Sequence, residues 1–372
     1  MAVGLRHDPR APKIPSELCE DFLWEDLSYG GYRVSKRINL GLQGGGAHGA
    51  FTWGVLDRIL EDERIEIAGI SGTSAGALNG AALKAGYVTG GREGAKENLD
   101  WFWGQIGAVS DDWLSNWMDA VAPRTSALAS AMSLSPMTAM MDFSVRLLSP
   151  YSTGPFYSNP LKPIVDEFQY DAVCGAQGPE LYVGATNVRS GKIKVFSGEG
   201  ISSDALMASA CLPTMFRAVE IDGESYWDGG FTGNPALFPL FEGDLPEDIV
   251  VVNINPLSRD AVPRDVTSIQ NRINEISFNS SLLRELRAIS FVKRLLRDGT
   301  MSKGAMRNVL VHMISDDALM NELNVVTKSQ PNPVVLARLK SAGRAAADRF
   351  LTEHYDDIGE RDTVDLSAMF GS

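Results

Sequence analysis

The segment Gly72-Thr73-Ser74-Ala75-Gly76 restricts the folds open to this chain more than any other. It reads G-x-S-x-G. An apolar run, Ile65 to Ile70, precedes it, and small residues at helical spacing follow it (Ala77, Ala81, Ala82, Ala85). A strand must therefore turn sharply into a helix, with the serine lifted out of the sheet at the apex. Only small residues fit beside such a turn, which accounts for Gly72 and Gly76 on its flanks. The helix start aims free N–H groups and a positive dipole end at the serine oxygen. Ser74 is thus a candidate nucleophile. The competing reading is a glycine turn with an incidental serine, and the strand-turn-helix context favours the nucleophile.

The alternation around this turn sets the fold class. Ile38 to Leu42 reads as a strand and Gly44 to Gly49 as a glycine loop. Ala50 to Glu61 reads as a helix by the spacing of Phe51, Val55, Leu56, Ile59 and Leu60. Ile65 to Ile70 is then a second strand and Ala75 to Ala85 a second helix. Further strands are expected at Leu181–Ala185, Lys192–Phe196 and Ile249–Ile254. Strands alternating with helices imply an α/β fold with a mostly parallel sheet and helices on its faces. With 372 residues the chain can bury a large core.

Two further constellations carry chemistry. Gly44-Gly45-Gly46-Ala47-His48-Gly49 follows the first strand. Three glycines in a row leave several backbone N–H groups on an open turn, a site for an anion such as a tetrahedral oxyanion. The loop also satisfies G-x-G-x-x-G, and acids follow it (Glu61, Asp62, Glu63), so a nucleotide-binding protein is a rival reading. Those acids read better as the solvated end of a helix, and that rival leaves Ser74 without a role. The other constellation is Tyr226-Trp227-Asp228-Gly229-Gly230. Alone, Asp-Gly is a common turn; beside the serine and the glycine loop, Asp228 becomes the general-base candidate.

The four histidines, His7, His48, His312 and His354, do not suggest a triad. A hydrolase of the common Ser-Asp-His order places its serine after several strands, whereas two candidate strands precede Ser74. His312 sits in an apolar, strand-like run and reads as a structural histidine. His354 lies at a polar helix end. His48 suits shaping the glycine loop or contacting a substrate headgroup.

Taken in order, the three motifs resemble the patatin-like phospholipase family. That family carries a D-G-G-G-x-R/K-G loop, a G-x-S-x-G serine and a late D-G-G or D-G-A aspartate. The segment Ala208-Ser209-Ala210-Cys211-Leu212-Pro213-Thr214-Met215-Phe216 also resembles its A-S-x-x-x-P-x-x-F stretch, and the likeness covers roughly residues 38–241. The resemblance implies a three-layer α/β/α sandwich and a phospholipase A- or lysophospholipase-like acyl hydrolase. It also implies a Ser74–Asp228 dyad without histidine, an oxyanion hole from Gly44, Gly45 and Gly46, and motif support from Gly49, Gly72, Gly76, Gly229 and Gly230. Two positions depart from the pattern: Gln43 replaces the usual acid, and His48 the usual Arg or Lys. An acyltransferase using the same serine is an alternative, for which no catalytic histidine is well placed.

The remaining segments frame the expected organisation. Residues 1–36 form an N-terminal arm and 37–242 the catalytic domain. Within it, 101–158 form a helical cap or lid, with Trp101, Trp103, Trp113 and Trp117 and a Ser/Ala/Met-rich stretch at 126–141. Residues 243–372 hold the last strands and a helical extension. Inside that extension, 264–307 carry nine Lys/Arg against four Asp/Glu in a chain of net charge −13. This segment could meet anionic lipid, a solvent face or another copy. The acidic balance argues against nucleic acid. The scattered Cys19, Cys174 and Cys211 suggest neither disulfides nor zinc, and no metal or other cofactor is expected. A polar start without a signal-peptide core and the lack of a spanning apolar run set the expectation of a cytoplasmic protein with peripheral lipid contact open.

Overall fold

In the computed structural model, the described residues are 35–121, 150–151, 157–213, 215–259, 262–264, 266–302, 304–323 and 332–371. Most of the expected arm, the 126–141 stretch and Thr214 lie outside them, as do the side chains of Trp113 and Trp117. The first elements run β1 (Lys36–Leu42), α1 (Gly49–Leu60), β2 (Ile65–Thr73) and α2 (Ala75–Val121), the last broken at Gly90 and Gly91. Short helices α3 (Lys162–Asp166) and α4 (Tyr170–Cys174) lead to β3 (Glu180–Asn187), β4 (Ile193–Ser197), α5 (Ser203–Ser209), β5 (Val219–Ile221) and β6 (Glu224–Asp228). The chain continues as β7 (Asp248–Asn253), α6 (Val266–Arg297), β8 (Leu310–Ser315), α7 (Asp317–Glu322), α8 (Pro333–His354) and α9 (Leu366–Phe370).

These strands form one sheet of order β5-β6-β3-β2-β1-β7-β8, with β4 also on β3. The pairings β3–β2, β2–β1, β1–β7 and β7–β8 are parallel, and β4, β5 and β6 add an antiparallel end. Strand β7 shows why the sheet is covered on both faces. Its Val250 and Val252 join one core with α1, α2 and α8, while Ile249 and Val251 join another with Leu282, Leu286 and Ile289 of α6. A strand buried on both faces needs a continuous apolar run, and Ile249-Val250-Val251-Val252 is one. The result is a three-layer α/β/α sandwich with a mostly parallel central sheet. The strands β7 and β8, beyond residue 242, belong to this same sheet.

Helix α8 starts where the sequence directs it. Asn332 accepts a hydrogen bond from Val334 N–H as N-cap, and Pro333 occupies the first turn. The helix then packs on α1 through paired glycines. A Cβ on Gly54 would overlap the Lys340 carbonyl, and one on Gly343 would overlap the Phe51 carbonyl. Substituting valine for Gly343 forces these backbones apart, and thermal denaturation should register a loss of about 1–3 kcal/mol, the usual effect of overpacking.

Candidate active site

The carboxyl ends of the strands bring the three motifs together. Gly184 of β3 pairs with Thr73 on one edge and with Val195 of β4 on the other. The next residue, Ala185, pairs with Lys194 of β4 and with Asp228 of β6. Strand β6 therefore takes over the edge that β2 vacates, and Asp228 stands one register step beyond Thr73. The chain leaves β2 through Ser74 at this point. Ser74 adopts φ 54°, a left-handed backbone that a non-glycine residue holds only under constraint. Leu78 N–H donates to the Ser74 carbonyl, which closes the first turn of α2 beneath the hydroxyl.

Asp228 is 1 % exposed. Its backbone N–H donates to the Cys211 carbonyl (2.7 Å), and Thr186 Oγ1 donates to its carbonyl (2.8 Å). Its Oδ1 accepts from Gly230 N–H (2.8 Å). The Ser74 hydroxyl lies against the carboxylate and favours its charged form, without a hydrogen bond of standard geometry to Oδ2. Burial outweighs both stabilising contacts and pushes the carboxyl up to about 7. A carboxylate that ionises near neutrality, set against a strained serine, can take that serine's proton.

The glycine loop lies directly on the serine turn. A Cβ on Gly44 would sit 2.7 Å from Ser74 Cβ, and a Cβ on Gly76 would overlap the Leu42 carbonyl at the end of β1. Gly44 N–H donates to Asn234 Oδ1 (2.6 Å), so this amide serves the loop's own anchoring. Among the described residues the amides of Gly45 and Gly46 have no such acceptor. Gly46 holds φ 60° to open the turn. His48 is wholly buried at the start of α1, and its backbone N–H donates to the Gly45 carbonyl.

Gln43, the first departure from the family pattern, acts as a backbone brace. Its Oε1 accepts from Ile254 N–H (2.9 Å), Asn255 N–H (3.1 Å) and Asn255 Nδ2 (3.2 Å), while its Nε2 donates to Asn279 Oδ1 (3.3 Å). A carboxylate there could accept those bonds but could not donate to Asn279. Asn255 Nδ2 also donates to the Gly44 carbonyl (2.8 Å).

Several of these partners escaped the sequence reading. Ser209 Oγ accepts from Ser74 N–H (2.9 Å) and donates to the Gly184 carbonyl (2.6 Å), which ties the serine turn to β3. Helix α6 supplies Asn279 to Gln43 and Ser281 to Asn234 N–H (3.0 Å). Its Phe278 ring lies 3.0 Å from where a Gly230 Cβ would project. Its Glu285 accepts from Leu237 and Phe238 N–H, and burial raises that carboxyl to about 7. The A-S-x-x-x-P-x-x-F likeness marked Ser209 as a position without a task. Nothing in the period of α6 signalled its contacts.

The other candidates fall elsewhere. His312 is buried with both ring nitrogens engaged, Nε2 with Asp248 Oδ1 (2.9 Å) and Nδ1 with Thr363 Oγ1 (3.3 Å). His354 pairs with Asp357. Trp103 packs in the core, stacks on Trp53 and donates to Asn79 Oδ1 (2.9 Å). Cys211 is buried, and its thiol is pushed up to about 12, chiefly by burial. Among the described residues no group of three or more His, Cys, Asp or Glu could hold a metal ion.

Fold and site together define a three-layer α/β/α protein with a serine turn, a glycine loop and a buried aspartate at the carboxyl edge of its sheet. The patatin-like phospholipase family matches residues 40–241, more than half of the chain, and the protein belongs to that family. It is accordingly a lipid acyl hydrolase acting on carboxylic ester bonds. No curated protein sequence matches the chain. Among solved structures, VipD from Legionella pneumophila is similar over 86 % of this chain and 67 % of its own, at 14 % identity and a TM-score of 0.35.

The Ser209 bridge makes a direct prediction. Ser209→Ala leaves the buried Ser74 N–H without its acceptor, and chemical denaturation should show a loss of about 1–3 kcal/mol.

Proposed function

We propose that the protein hydrolyses lipid acyl esters with Ser74 as nucleophile and Asp228 as the sole general base. The observation that carries this reading is the register step that sets the buried Asp228 carboxylate beside the strained Ser74 turn. Asp228 accepts the Ser74 hydroxyl proton as Oγ attacks the ester carbonyl. The tetrahedral oxyanion is held by the amides of Gly45 and Gly46, with Gly44 serving as the anchored shoulder of the loop. Asp228 returns the proton to the leaving alcohol or lysolipid. Water, deprotonated by the same carboxylate, then attacks the acyl-enzyme, and that proton passes to Ser74 Oγ as the Oγ–acyl bond breaks and the fatty acid leaves. His48, wholly buried, ties into this loop through its backbone N–H, which donates to the Gly45 carbonyl.

Residues 101–108 continue α2 on the core, which supports a packed helical cap for this part of the 101–158 segment. The reading of 37–242 as the catalytic domain is widened by α6. That helix lies beyond it yet anchors the glycine loop through Asn279 and Ser281.

Replacing Ser74 by alanine, or Asp228 by asparagine, should lower p-nitrophenyl ester hydrolysis by about 10³-fold or more. A fluorophosphonate probe should label the wild type and not the Ser74→Ala variant. Near-full activity in either variant would refute the dyad. The base must be ionised to act, so kcat/KM should rise with pH through about 7 and level off above it.

The same burial has a consequence for stability. The Asp228 carboxyl titrates at about 7 when folded against an ordinary value of 3.8. The folded state thus holds this proton more tightly, and the carboxylate destabilises the fold increasingly as pH rises between those values. Asp228→Asn removes that effect. Its thermal midpoint should exceed the wild type's by an amount that grows from about pH 4 to about pH 7 and is constant above.

A further inference from the structure

Helix α6 buries Phe278, Leu282, Leu286 and Ile289 on one face. The opposite face is expected to be polar in a helix that meets only water. Instead, Ile269, Ile273 and Ile276 are 41 %, 53 % and 55 % exposed, and Phe291 is 49 % exposed. At 3.6 residues per turn these four share an arc of about 80° with Arg284, Arg287 and Arg294, a stripe about 38 Å long.

Among the described residues these arginines contact uncharged groups. Arg284 donates to the Ser280 carbonyl of its own helix, Arg287 lies over the Phe370 ring and Arg294 over the Phe291 ring. Among the described residues none of the three pairs with a carboxylate, because the nearby acids are taken. Glu285 accepts from the Leu237 and Phe238 amides, Asp298 pairs with Arg297, Asp362 pairs with Lys293, and Asp365 caps α9. The three arginines, Phe291 and Phe370 line a groove of about 480 Å³, and none of its lining residues belongs to the Ser74 site. This basic cluster stands in a chain of net charge −13.

From these observations we infer that the outer stripe of α6 is a docking surface for an anionic phospholipid bilayer, an inference that rests on the lipid-hydrolase reading. A bilayer satisfies both halves of the stripe at once. Lipid phosphates pair with the arginines, and the isoleucines and Phe291 enter the boundary between headgroups and acyl chains. Two-fold pairing with a second copy does not. It sets arginines against arginines when the helices run parallel, and against isoleucines when they run antiparallel. No helix among the described residues is long and apolar enough to cross a membrane.

The test is co-sedimentation of the full chain carrying Ser74→Ala, so that binding is read without hydrolysis. It should pellet with phosphatidylcholine vesicles containing phosphatidylglycerol and not with phosphatidylcholine alone. Adding Arg284→Glu, Arg287→Glu and Arg294→Glu together should weaken partitioning at least about tenfold. Ile273→Ser with Ile276→Ser should also weaken it. In the Ser74 background both sets should keep wild-type hydrolysis of a soluble p-nitrophenyl ester. Undiminished pelleting of the arginine variants, or no pelleting of the parent, would overturn the inference. So would a doubling of solution mass that the isoleucine variants abolish, which would assign the stripe to self-association. Soluble-ester hydrolysis that survives Ser74→Ala would refute the nucleophile and leave the vesicle result standing.

Discussion

The close approach of three bare backbones at the end of β2 is the constraint on which the rest of this structure depends. Gly76 lies against the Leu42 carbonyl of β1, Gly44 against Ser74 Cβ, and Gly229 against the Gly184 carbonyl of β3. A single methyl at any of these positions would separate the glycine loop, the serine turn or the aspartate turn from the others. Because they are absent, Ser74 is confined to a left-handed backbone that it would not choose alone. The surrounding bonds, Ser74 N–H to Ser209 and Leu78 N–H to the Ser74 carbonyl, maintain that conformation.

The same crowding excludes water from Asp228. A solvated aspartate would ionise far below neutrality and be a poor proton acceptor for a hydroxyl. Burial raises its proton affinity toward neutrality, the property the proposed Ser74–Asp228 pair requires of its base. Stability and proposed activity therefore pull against each other at one carboxyl group, an expected signature of a reactive site.

The helix beyond the family match is part of the same construction. Asn279 and Ser281 of α6 reach Gln43 and Asn234, and those two residues hold the loop that carries Gly44. Glutamine in place of an acid makes sense in this setting. It accepts from the β7 end and donates to α6 with one side chain, so the loop is tied on two sides. The inner face of α6 serves this bracing, and its outer face exposes Ile269, Ile273, Ile276 and Phe291.

Much of the architecture was legible in the sequence because its signals are local. The G-x-S-x-G turn, the β7 run Ile249-Val250-Val251-Val252 and the spacing of α1 each state their element within a few residues, and period and turn chemistry act over that range. His312 read as structural for the same reason, since an apolar strand leaves a polar ring little else to do. What the sequence by itself determined is therefore the α/β alternation, the family, and which serine, aspartate and glycines are the candidates. The tertiary structure alone decided that β6 takes up the edge β2 leaves, and so puts Asp228 beside Ser74. It also decided that Asn234 occupies the Gly44 amide, that Ser209 holds the serine turn, and that α6 braces the loop. These contacts join residues from 47 to 236 positions apart. No local pattern encodes pairing at that separation; it follows from the order and register in which the strands assemble.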